Sequence, residues 1–129
     1  MYFVLDTSAY SQFNRGDKRL LKWFSKDNEI VIPLIVVGEL RAGFSLGSRQ
    51  KENEALLQKF LDSPNVDIVS ITDKTTVLFA KIYSKLRKNG TPIGTNDIWI
   101  AAITLELDSM LLTFDADFKN VPGLLVADV

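Results

Sequence analysis

The chain contains no histidine and no cysteine. Without thiols there is no disulfide framework and no thiolate metal site, and without imidazole there is neither a His general base nor a His-ligated zinc centre. Catalytic chemistry on this chain must come from carboxylates, hydroxyls, amides, Lys and Arg. That donor set selects hard, oxygen-ligated cations such as Mg2+ or Mn2+ over softer metals. An excess of one charge sign is also missing. The 15 basic and 16 acidic residues leave a formal net charge of -1, which argues against a protein that mainly coats nucleic acid but allows a local basic rim around an acidic centre. No apolar run approaches the ~18 residues of a membrane span, and the first residues enter a strand-like segment without a charged leader. The expected compartment is the cytoplasm, with no membrane partner.

A hydrophobic content of 47% over 129 residues suits a single domain, residues 1–129, burying roughly two-thirds of its unfolded surface. Tyr2 to Leu5 reads as a strand buried on both faces, followed by Asp6 and a short helix that Thr7 or Ser8 can cap. Asp17 to Ser25 reads as a second helix, with Leu20, Leu21 and Phe24 on one face and Lys18, Arg19, Lys22 and Lys26 on the other. That basic face is an ordinary solvated surface or, alternatively, a contact for RNA phosphates. Strands are expected at Ile30 to Ile32, Val66 to Val69, Met110 to Thr113 and Leu124 to Val126. Helices are expected at Leu34 to Leu46, Ser48 to Leu61 and Asp73 to Lys88, with another opening near Asp97 behind the breakers Pro92 and Gly94. Alternating strands and helices indicate an α/β fold, a three-layer α/β/α sandwich with a mainly parallel central sheet.

Open parallel sheets bind ligands beyond the carboxyl ends of their strands, so residues there carry the chemistry. Asp6 follows the first strand, and Asp115 and Asp117 follow Met110 to Thr113. Glu39 lies one to two turns into the helix after Ile30 to Ile32, among apolar neighbours where an unpaired acid is rarely buried. Asp97 by itself is also explained as an ordinary acid in the first turn of a helix, and Asp115 or Asp117 as a turn residue. Together, four or five carboxylates at one edge repel each other unless a cation neutralises them, and a divalent ion resolves that conflict.

The segments VLDTSAY at Val4 to Tyr10, GELRAG at Gly38 to Gly43, PIGTNDIWIAA at Pro92 to Ala102 and LLTFDADFKNVPGL at Leu111 to Leu124 run in this order nearly end to end. In this order and spacing they resemble the PIN-domain ribonucleases, and within them the VapC-like toxins of toxin–antitoxin pairs. The resemblance implies RNA cleavage with Mg2+ or Mn2+. It implies Asp6, Glu39 and Asp97 as core acidic ligands, with either Asp115 or Asp117 as the fourth. Asp115 is favoured because it is nearer the strand end. Thr7 or Ser8 resembles the hydroxyl that braces such a site, with Asn96 in a similar role. The resemblance further implies a homodimer and an antitoxin whose tail fills the site. Exposed apolar residues in Leu34 to Leu46 and Leu56 to Leu61 are candidates for either face. Two other readings stand beside it: a non-catalytic RNA- or protein-binding module, and an aspartyl phosphatase. The phosphatase would need a second Asp two residues after Asp6, where this chain has Ser8.

Overall fold

A computed structural model describes residues 2–129. The elements run β1 (Tyr2–Leu5), α1 (Thr7–Asn14), β2 (Glu29–Pro33), α2 (Leu34–Leu46), α3 (Gln50–Leu61), β3 (Val66–Val69), α4 (Asp73–Lys88), α5 (Thr95–Glu106) and β4 (Met110–Leu112). The strands form one sheet in the order β3-β2-β1-β4, every described pair parallel. Helices cover the sheet in an α/β/α arrangement, so the central strands have no solvent face. Phe3, Val4 and Leu5 of β1 and Ile30, Val31 and Ile32 of β2 are all buried, which is why both strands read as continuous apolar runs rather than alternating ones.

The order of the sheet positions the chemistry. β1 lies between β2 and β4, in register Leu5 opposite Leu112, and the Asp6 N–H continues the ladder to the Leu112 carbonyl at 3.3 Å. Residues after β1 and β4 therefore leave the sheet side by side. Pro33 ends β2 in an extended conformation, and α2 starts at the next residue, so its early turns hang over the same edge. α4 and α5 pack together, with Phe79 stacked on Trp99 at 4.0 Å between ring centroids. At the far end of that pair, Thr72 and Thr75 reciprocally cap α4, and both hydroxyls donate to Glu106. The C-terminus of α4 carries Lys85, Arg87 and Lys88 and closes on Gly90 at φ 72, as a dipole-complementing end with a glycine stop should.

Four local expectations need correction. The basic segment forms a 3-10 turn over Lys18–Trp23, not an α-helix from Asp17 to Ser25. Asp17 caps it and binds the Arg19 guanidinium, and the three-residue period turns Leu20 inward while Leu21 is exposed. Thr7 and Ser8 do not cap α1. Asp6 does, accepting the Ala9 N–H at 2.8 Å, which frees both hydroxyls for other partners. α5 opens at Thr95 with Gly94 at its cap position and no side-chain cap, so Asp97 lies inside the first turn. Leu124 to Val126 contributes a single parallel bridge, Leu111 to Val126, rather than a strand, because β4 is only three residues long and offers little ladder. No helix of the described residues is long and apolar enough to cross a membrane.

Candidate active site

The sheet edge beyond β1 and β4 holds a group of carboxylates, each aimed by a different element. Asp6 is fixed on all sides: its Oδ1 accepts the Ala9 N–H and the Ser8 hydroxyl, both at 2.8 Å, and its Oδ2 accepts the Thr113 hydroxyl. It is almost fully buried at 4% exposure. Burial raises its pKa above the ordinary carboxylate value, opposed by these hydrogen bonds and reinforced by the negative charge of Asp115. Glu39 arrives from α2, and its Oε1 accepts the Thr7 hydroxyl at 2.9 Å. Arg41, two residues on, turns away to pair with Glu54 of α3 at 2.8 Å, and Glu39 forms no ion pair among the described residues.

Asp97 joins them from the first turn of α5, half-buried, in an open cavity of about 380 Å3 lined by Glu39, Gly94, Thr95, Asn96 and Asp97. Burial, then the charges of Asp115, Glu39, Asp6 and Asp117 in that order, push its pKa up to about 6. This one carboxyl reports the convergence of all the acids singled out in the sequence. Asp115 is the strongest of the charges acting on Asp97 and also acts on Asp6, whereas Asp117 is exposed and the weakest. Asp115 also caps the 3-10 turn Ala116–Asn120 by accepting the Asp117 N–H at 2.9 Å. Asn96 is exposed, lines the cavity and makes no hydrogen bond through its side chain among the described residues.

Among the described residues, no three acids are drawn together tightly enough to form a ready-made metal cage. The donor set still fits a hard divalent cation: every group facing the cavity is an oxygen donor or amide, with no sulfur or imidazole.

One functional residue escaped the sequence reading. Thr113, 4% exposed, donates to Asp6, accepts the Asp115 N–H at 3.0 Å and lies 3.4 Å from the Ser8 hydroxyl. Ser8 in turn accepts the Phe114 N–H at 3.0 Å. The available signal was a hydroxyl closing the apolar run Met110 to Leu112, where a buried strand end must satisfy its polar group.

Comparisons with known proteins find similarity along nearly the whole chain. A family model described as PIN domain matches residues 3–124. Ribonuclease VapC2 of Rickettsia felis is 29% identical over 131 residues, covering 98% of this chain and 96% of that protein. Plasmid stability protein StbB of Pseudomonas syringae pv. tomato is 31% identical over 129 residues, covering 94% of this chain and 93% of that protein. The crystal structure of VapBC2 from Rickettsia felis, bound to a DNA fragment from its promoter, superposes with a TM-score of 0.86 at 27% identity over 98% of each chain.

Proposed function

The chain belongs to the PIN domain family, and on that premise we propose that it is a cytoplasmic, metal-dependent endoribonuclease, the toxin of a type II toxin–antitoxin pair. In this reading Asp6, Glu39, Asp97 and Asp115 hold Mg2+ or Mn2+, and RNA phosphodiester bonds are hydrolysed in the cavity that Glu39 and Asp97 line. The observation that carries it is the convergence on Asp97 of Asp115, Glu39 and Asp6 from separate elements, at an edge where uncompensated acids destabilise the fold. The ribonuclease names of the relatives, such as VapC2 at near full-length coverage, support the substrate class.

When bound by these four acids, a divalent cation would supply charge neutralisation and Lewis acidity toward a phosphodiester. The chain's own groups set the rest. Thr7 orients Glu39 through one oxygen, while Ser8, Thr113 and the Ala9 N–H hold both oxygens of Asp6, so Asp6 has little rotational freedom to lose on binding. Asp97, pushed up to about 6 by burial and the neighbouring acids, is the carboxyl whose charged form a bound cation would favour most, which suits it to a ligand role. Asp117, exposed and the weakest influence on Asp97, is the less suited of the two acids after β4.

The partners follow the same reading. The Rickettsia felis relative is solved as a VapBC2 assembly, which supports an antitoxin partner for this chain. An open groove of about 740 Å3 between α2 and α3, lined in part by Arg41, Phe44 and Glu54, and the exposed Leu46 and Leu56 beside it, offer a surface for them. The aspartyl phosphatase reading gains nothing, because Ser8 braces Asp6 by hydrogen bonding instead of supplying a second acid.

The test is direct. Purified protein should degrade single-stranded RNA with Mg2+ or Mn2+ present and stop when EDTA is added. The Asp97→Asn protein should be inactive while retaining its circular dichroism spectrum. Full cleavage in EDTA, or by that variant, would remove the assignment, and RNA binding without cleavage would leave a non-catalytic module.

A further inference from the structure

A second cavity adjoins the acid cluster, and the metal-site reading does not use it. It is open, has a volume of about 620 Å3, and its lining includes Thr113, Phe114, Asp115, Lys119, Val126 and Val129. That volume falls in the roughly 300–1,000 Å3 range of ligand sites. Its wall includes Asp115, one of the acids whose charge acts on Asp97, and Thr113, which donates to Asp6. Phe114 is half-buried, and the Arg19 guanidinium sits 4.6 Å from its ring centroid. Arg19 is itself immobilised by Asp17, which accepts from its Nε at 3.1 Å and from its Nη2 at 2.6 Å. The aromatic ring is thus braced by a cation that the 3-10 turn holds in place. Lys119 is exposed and pairs with no carboxylate among the described residues. Asp128 is the acid on the cavity wall apart from Asp115.

Recognition of single-stranded nucleic acid needs a π-face for a base and a mobile positive charge for a phosphate. Both occur here, within one cavity and beside the reacting centre. A base paired in a duplex stays in its stack and cannot enter such a recess, whereas a splayed base can. We propose that this cavity is a subsite for single-stranded RNA, in which a base flanking the scissile phosphate stacks on Phe114 and the adjoining phosphate is held by Lys119. The proposal rests on the ribonuclease reading and gives its substrate a strand state and a direction of approach. It also gives the basic face of the Lys18–Trp23 turn a role, because Arg19 orients the stacking platform.

The experiment measures the affinity of the full chain for a short fluorescein-labelled single-stranded RNA by anisotropy, with Ca2+ in place of Mg2+ and RNA integrity checked on a gel. Lys119→Gln should weaken binding about five- to tenfold and make its salt dependence shallower by about one charge. Phe114→Leu, with its fold verified by circular dichroism, should weaken binding roughly tenfold or more. Lys74→Gln, at the opposite end of the α4/α5 pair, should bind as the wild type does. Binding by either Lys119→Gln or Phe114→Leu within about twofold of wild type overturns the subsite while leaving the ribonuclease reading standing. A wild-type protein that neither binds nor cleaves RNA overturns both.

Discussion

The Thr113 hydroxyl donates to Oδ2 of Asp6, a residue 107 positions away, and accepts the N–H of Asp115 through the same oxygen. One buried side chain therefore ties the acid after β1 to the acid after β4. Thr113→Val keeps the volume and removes both bonds, leaving the Asp115 N–H unpaired. The expected loss is about 1–3 kcal/mol of stability in urea denaturation and roughly 10–100-fold in RNA cleavage. Wild-type cleavage by this variant would show that the tie is structural only.

Asp97 sets a pH dependence of unusual sign. Its folded pKa of about 6 lies above the unfolded value near 3.8. The folded state therefore binds the extra proton in that window, and the group's stabilising effect is complete below about pH 4 and lost as pH rises through 6. After allowance for solvent screening of a half-exposed group, the effect is on the order of 1 kcal/mol. Denaturation in EDTA at pH 4.5 and 7 should show wild type losing more stability on that rise than Asp97→Asn. Equal slopes would mean that the carboxyl is not perturbed.

Mn2+ should reverse this penalty. A ligand that binds only the native state at ~100 times its Kd adds about 2.7 kcal/mol, so the melting temperature should rise by several degrees over the EDTA value. Asp97→Asn should lose most of that rise. A shift of the same size in the variant would locate the metal elsewhere.

Thr7 is the separate brace of Glu39. Thr7→Val should leave the melting temperature within a few degrees of wild type, since the position is half-buried. The Mn2+ concentration for half-maximal cleavage should rise roughly tenfold as Glu39 gains freedom. An unchanged activation curve would show that Glu39 needs no orientation.

Much of this was legible from residues whose chemistry conflicts with their surroundings. Asp6 closes an apolar strand and Glu39 interrupts an apolar helix, and both conflicts are visible locally. β1 and β2, buried in a parallel sheet, announce themselves by unbroken apolar runs. The brace did not, because Thr113 matters only through Asp6 and Ser8, and hydrogen bonds over such separations leave no periodic trace. The start of α5 lies two residues earlier than expected because Gly94 adopts the cap backbone without offering a side chain that the sequence would mark. The 3-10 turn at Lys18–Trp23 was hidden because one turn of three-residue period differs little from one of 3.6 in so short a stretch.

The place of β1 between β2 and β4 also sets a clock on synthesis. β1 is made before the other described strands and can pair with β2 early, but the β4 edge, and the Thr113 hydroxyl that holds Asp6, are made about a hundred residues later. Every shorter nascent chain lacks Asp115 as well as the brace. Under the proposed ribonuclease reading, the site that would cut RNA is therefore incomplete until translation has passed β4.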